Sequence, residues 1–136
     1  MEKLVIYTDG ASRGNPGQAA IAFIICGGGK ILERHAETIG KATNNEAEYM
    51  AIIRALEKAA SMGAETIGLF SDSEVVIRQL RGEYKIKEQR LKALFTKARG
   101  IEKGLKKIVY NNLRRSDKMI SLADSMVNEA LDNANR

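Results

Sequence analysis

The sequence predicts an α/β fold: a five-stranded mixed sheet, its first three strands antiparallel, flanked by helices. Three observations carry this expectation. The first forty residues hold three apolar or alternating segments separated by "GNPG" (14–17) and "GGGK" (27–30), turn chemistry that makes hairpins. At residue 43 the hydrophobic period changes from strand-like to helical. Beyond it, short apolar strands alternate with helical segments, as crossover connections require.

Each element follows in order. "KLVIYT" (3–8), rich in β-branched and aromatic residues, is the first strand, and Asp9 stands at its C-terminal end. "AAIAFIIC" (19–26) is a buried second strand, and "ILERHAETIG" (31–40), weakly alternating, is the third. "TNNEAEYMAIIRALEKAASMG" (43–63) is a helix: Thr43 and Glu46 have capping-box spacing, and Gly63 is a natural stop. Its apolar side runs through Ala47, Met50, Ile53 or Arg54, Leu56 and Ala60. "TIGLFS" (66–71) is the fourth strand and "DSEVVIRQL" (72–80) opens a helix. "KEQRLKALFTKARGIEKG" (87–104) is a basic helix with Leu91, Leu94, Phe95 and Ala98 as its stripe. "KKIVYNN" (106–112) is the last strand, and "ISLADSMVNEAL" (120–131) closes the chain as a helix.

The 136 residues amount to one domain, 1–136, long enough to bury about two-thirds of the unfolded surface. The longest purely apolar run, residues 19–26, is far too short to span a bilayer, and an acid at position 2 argues against a signal peptide. Cys26 is the only cysteine, which excludes an internal disulfide and argues against a cysteine-based zinc site. It reads as a small core residue in a reducing cytoplasm. A monomer is the expectation.

Charge is unevenly placed. Residues 1–68 carry seven basic and eight acidic groups, whereas residues 78–118 carry fourteen basic and four acidic ones, a net of +10. That asymmetry points either to a polyanion partner or to a solvated lysine-rich helix face.

Four carboxylates stand out by position: Asp9 and Asp72 at strand ends, Glu48 early in the first helix, and Asp124 in the last. Strand ends of α/β sheets are where sites are built, and Asp9 and Asp72 meet if the first and fourth strands are neighbours. Converging acids without basic partners persist only if protons or hard cations neutralise them, and oxygen-only donors suit Mg²⁺ or Mn²⁺. Singly, each has a plain alternative. Asp9 before Gly10 makes a turn, Asp72 a helix N-cap, Glu48 a first-turn acid, and Asp124 a solvent-facing residue.

"YTDGASRGNPG", "TNNEAEYMAI", "FSDSEVVIRQL" and "LADSMVNEAL" resemble, in that order, the four signature blocks of type 1 ribonuclease H. The resemblance covers nearly the whole chain and implies a ribonuclease H-like fold. It implies metal-dependent endonucleolytic hydrolysis of the RNA strand of RNA–DNA hybrids, leaving 3′-hydroxyl and 5′-phosphate ends. It also implies two Mg²⁺ or Mn²⁺ ions per active site with substrate bound. By this resemblance Asp9 bridges the ions, Asp124 helps hold the one that activates water, and Glu48 and Asp72 the one beside the leaving oxygen. Asn15, Asn44 and Asn45 fall where the family reads the minor groove and RNA 2′-hydroxyls, which suits an amide's donor and acceptor. Gly10, Ala11 and Ser12 are then small so that the backbone can approach RNA. Glu74 falls where the family places a polar substrate contact, for which an acid is the weaker choice.

The segment "RGEYKIKEQRLK" is too short for the family's extra basic helical handle, so the chain resembles the handle-less branch. Lys85, Lys87 and Arg90 are its expected contacts to DNA-strand phosphates. The family's usual histidine before the last helix is missing from "NNLRRSDKMIS"; Arg114 or Arg115 stands in, able to place phosphate but not to act as a base. The sole histidine, His35, is expected at an exposed edge. Ile120 occupies the place of the family's usual Asn, four residues before Asp124. Two alternatives accompany this reading. One is a nuclease that also cuts double-stranded RNA; the other is an inactive hybrid-binding domain, against which the presence of all four acids weighs.

Overall fold

The structure, a computed structural model, describes residues 3–134; Glu2, on which the signal-peptide expectation partly rests, lies outside them. Strands β1 (Lys3–Gly14), β2 (Gly17–Gly27) and β3 (Lys30–Ala42) precede helix α1 (Asn44–Ser61) and strand β4 (Thr66–Ser71). Helices α2 (Glu74–Leu80) and α3 (Gln89–Glu102), strand β5 (Lys107–Asn112) and helix α4 (Lys118–Ala134) complete the order. The sheet runs β3-β2-β1-β4-β5, antiparallel across β1–β3 and parallel from β1 through β4 to β5, as expected.

Strand β1 is longer than its apolar run. It continues through Asp9 to Gly14 because β2 keeps pairing with it, Asp9 opposite Ala22 and Gly14 opposite Gly17. The parallel ladder to β4 stops at Tyr7 and Phe70. Asp9 therefore sits mid-strand, where β1 outlasts its other neighbour and a gap opens in the sheet.

The main core lies between the sheet and α1–α3, filled by residues such as Leu4, Ile6, Ile52, Leu56 and Leu69. On α1, Arg54 and Ala60 are exposed, and the buried side instead includes Ala51, Ile52, Ala55 and Ala59. Of the α3 stripe, Leu91 and Ala98 are buried and Leu94 and Phe95 pack against the core as half-buried residues. A smaller cluster, Ala20, Ala22, Val127 and Leu131, joins α4 to the opposite sheet face. Small residues on the strands let α4 lie close there. No helix among the described residues is long and apolar enough to cross a membrane.

Helix α1 starts as predicted. The Thr43 hydroxyl accepts the Glu46 N–H at 3.1 Å, and the Glu46 carboxylate accepts the Thr43 N–H at 2.9 Å. Thr43→Ala should cost about 1 kcal/mol, read from the shift in urea midpoint at unchanged slope. Helix α4 begins at Lys118, two residues before the predicted start, because Asp117 accepts the N–H groups of Met119 and Ile120.

Candidate active site

The four acids come from four elements. Asp9 projects from β1 on the α4 side, the face it shares with its cross-strand partner Ala22. Asp72 follows the last residue of β4; the N-cap of α2 is Ser73, so Asp72 is not spent on capping. Glu48 comes from α1 on the other sheet face and reaches β1 where β4 has ended. Its Oε1 accepts the Gly10 N–H at 2.7 Å.

Gly10 makes this approach possible. A Cβ there would lie 2.3 Å from the Ala47 carbonyl oxygen and 2.8 Å from the Glu48 nitrogen. The backbone of α1 thus requires Gly10 to be small, a reason separate from the expected approach of RNA.

Asp9, Glu48 and Asp72 each offer a carboxylate oxygen, and these lie within 4.8 Å of one another. Asp124, half-buried on α4, adds its charge beside Asp9, so it is neither remote nor fully solvent-facing. Its Oδ2 also accepts from Asn128 at 3.4 Å. Asp9 and Glu48 are 4% and 8% exposed. Burial, then the charges of Asp72 and Asp124, push the Asp9 carboxyl up to about 8. Burial, then Asp9 and Asp72, raise Glu48 well above the ordinary carboxylate range.

Among the described residues, the cation touching the cluster is Arg115, whose Nε lies 3.3 Å from Asp72 Oδ2 while 81% of its side chain stays exposed. The sequence left Arg114 and Arg115 equivalent. Arg114 is exposed with no ion-pair partner among the described residues. One loosely held guanidinium does not neutralise four acids, and Asp9 Oδ2 is buried with no hydrogen-bond partner. An orphaned oxygen in an oxygen-only donor set fits hard divalent cations.

The asparagines form a chain beside the acids. The Asn15 side-chain oxygen accepts the Asn44 N–H at 3.0 Å, and that of Asn44 accepts the Ser12 N–H at 2.9 Å. The β1–β2 turn, with its cis Asn15–Pro16 bond, is thereby tied to the start of α1. Asn15 and Asn44 are exposed and their amide Nδ2 donors have no protein partner among the described residues; Asn45 is half-buried. Lys85 and Lys87 are exposed between α2 and α3, and Arg90 lies 3.8 Å from Glu46 at the start of α1. Glu74 is held by Arg78 at 2.9 Å. His35 lies on edge strand β3, exposed and 3.1 Å from Glu37. Ile120 is fully buried.

Comparison with known proteins gives a consistent result. A family model described as reverse transcriptase-like matches residues 7–130. The chain is 42% identical over 129 residues to ribonuclease HI of Halobacterium salinarum, covering 94% of this chain and 64% of that protein. A bifunctional protein of Mycobacterium tuberculosis is 34% identical over 97% of this chain, which spans 36% of that protein. The chain thus spans less than two-thirds of these relatives' length. Among solved structures, RNase H1 of H. salinarum superposes with a TM-score of 0.92 at 40% identity, over 96% of this chain and 98% of that one. LC11-RNase H1, from compost by a metagenomic approach and solved in complex with an RNA/DNA hybrid, gives 0.91 at 39% identity over 98% and 99%.

Proposed function

The chain belongs to the type 1 ribonuclease H family, and from that premise we propose that it is a metal-dependent endonuclease of RNA–DNA hybrids. The observation that carries the reading is the buried, unneutralised acid cluster: three carboxylates within 4.8 Å, with Asp9 Oδ2 orphaned. Exposed amides of Asn15 and Asn44 stand at the Ser12 end of β1 and the start of α1, the two elements that supply Asp9 and Glu48, which suits a nucleic-acid strand laid across them.

Asp9, Glu48, Asp72 and Asp124 would hold two Mg²⁺ or Mn²⁺ ions. Such ions, when bound, make hydroxide available near neutral pH and neutralise charge on the phosphate and the leaving 3′-oxygen. The protein's own part is positional. Gly10 N–H fixes the Glu48 carboxylate at 2.7 Å, and β1 holds Asp9 rigidly in a paired strand. The Nδ2 donors of Asn15 and Asn44, with Asn45 beside them, face 2′-hydroxyls, the group that separates RNA from DNA. Ser12, half-buried and bonded to Asn44, lines the same approach. Lys85, Lys87 and Arg90 hold the DNA strand by its phosphates. Arg115, held by Asp72 with most of its side chain exposed, moves onto the phosphate and stabilises its charge; it cannot take a proton. The domain acts as a monomer spanning 1–136 in the cytoplasm.

The test is cleavage of end-labelled hybrid, RNA duplex and DNA duplex with Mg²⁺, with Mn²⁺ and with chelator. Hybrid should be cut with either ion and not with chelator, giving 5′-phosphate ends. Asp124→Asn should lose at least about a hundredfold in rate, roughly 3 kcal/mol of barrier. Wild-type rate in that variant would remove Asp124 from the site. Failure of wild type to cut any hybrid with either ion, while still binding it, would favour the inactive-domain reading.

A further inference from the structure

Helix α4 covers only part of its sheet face. The register places Val5 and Tyr7 of β1 and Cys26 of β2 on the same face as Asp9, farther along the strands from the acids. There a cleft of about 520 Å³ opens, floored by Val5, Tyr7 and Cys26 and walled by Ile31 and Met119. Cys26 is accordingly half-buried rather than a core residue. The apolar surface runs on across the sheet through Phe70, stacked on Tyr7 at 5.3 Å, to Val109, 41% exposed on β5. Ile31 is 46% exposed. A contiguous exposed apolar patch of this kind marks an interaction site.

Charge says what the cleft suits. Lys3 and Lys30 line it, and Lys107 lies in the same cross-sheet row as Lys3, through Thr66. All three are exposed and none is ion-paired among the described residues. Asp117 is occupied capping α4. The Tyr7 hydroxyl has no protein partner among the described residues. A duplex would leave the apolar floor uncovered, and a second copy seated through this same face would set lysine against lysine.

We propose that this half-face binds an acidic peptide segment of another protein, with a leucine or phenylalanine in the cleft and carboxylates on Lys3, Lys30 and Lys107. The site is separate from the acid cluster and does not depend on the nuclease reading.

The test is selection of twelve-residue peptides from a displayed random library on the full chain, with the variant Lys3→Glu/Lys30→Glu/Ile31→Asp used for subtraction. Those three positions are exposed, so the variant should fold, as circular dichroism checks. Selected peptides should be acidic with one or two large apolar residues. By fluorescence anisotropy they should bind the variant at least tenfold more weakly, and amide shifts should cluster at Gly28–Ile31. Cleavage of hybrid should be unchanged in the variant. A basic consensus or none, equal binding to chain and variant, or shifts confined to the basic α3 would overturn the proposal. Shifts at Gly28–Ile31 caused by an oligonucleotide, or by self-association in sedimentation, would equally overturn it.

Discussion

Asp9→Asn should abolish hybrid cleavage, by at least about a thousandfold or roughly 4 kcal/mol of barrier, and should at the same time make the metal-free protein more stable. The two effects have one origin. Asp9 is 4% exposed, its Oδ2 has no partner, and Asp72 and Asp124 stand against it. An asparagine keeps the shape, removes the buried charge and ends its repulsion with the other acids. The gain should be about 1–3 kcal/mol at pH 8 without divalent ions, measured by urea denaturation. Added Mg²⁺ or Mn²⁺ should stabilise wild type and not the variant, since only wild type retains the full donor set. A variant that cut hybrid at the wild-type rate would remove Asp9 from the chemistry. One that was inactive but no more stable would mean that the cluster is not strained in the way its burial implies.

The same residue fixes the sign of the pH dependence. With its carboxyl raised to about 8, the folded metal-free protein holds this proton more tightly than the unfolded chain, whose value is near 3.8. The stabilisation from Asp9 is full below the unfolded value and is lost as pH rises through the folded one. Metal-free wild type should therefore lose stability between roughly pH 4 and 8, and Asp9→Asn should lose less.

The meeting of three acids was legible in the sequence because each follows local punctuation: Asp9 after an apolar run, Asp72 after "TIGLFS", and Glu48 two residues beyond the capping box of Thr43 and Glu46. The mixed sheet followed from two hairpin turns and one change of period. What could not be read was set by partners distant in sequence. The extent of β1 beyond Thr8 depends on β2 pairing with "GASRG", polar residues that carry no strand signal alone. The choice of Arg115 over Arg114 depends on which of two adjacent side chains faces Asp72. Ile53 or Arg54 stayed ambiguous on α1 because both fit a helical stripe, and only the position of the sheet decides between them. The cleft beside Tyr7 exists because α4 stops covering the sheet, a fact of packing that no window of sequence contains. Glycine signals were likewise seen at turns, whereas Gly10 needed the structure.

Gly10→Ala should damage both stability and activity, because fold and site meet at that one Cα. The added Cβ would fall 2.3 Å from a backbone oxygen and 2.5 Å from its carbon, and neither can step aside as a flexible side chain would. Either β1 or the start of α1 must move, and both carry acids of the cluster: Asp9 is the preceding residue, and Glu48 follows the residue that is struck. We expect a loss of about 3 kcal/mol or more in stability, in the range of severe overpacking. Activity should fall further than the folded fraction explains, since the 2.7 Å bond from Gly10 N–H to Glu48 depends on the same approach. The contrast is Gly100→Ala, on the exposed surface of α3, where an added methyl would meet no heavy atom within 4 Å. There the substitution should stabilise, by roughly 0.5–1 kcal/mol, through helix propensity alone. Calorimetric titration of Mn²⁺ into folded Gly10→Ala at low temperature separates the two consequences. Weakened binding in the folded variant would show that the β1–α1 contact sets the geometry of the acids; binding equal to wild type would confine Gly10 to a role in stability.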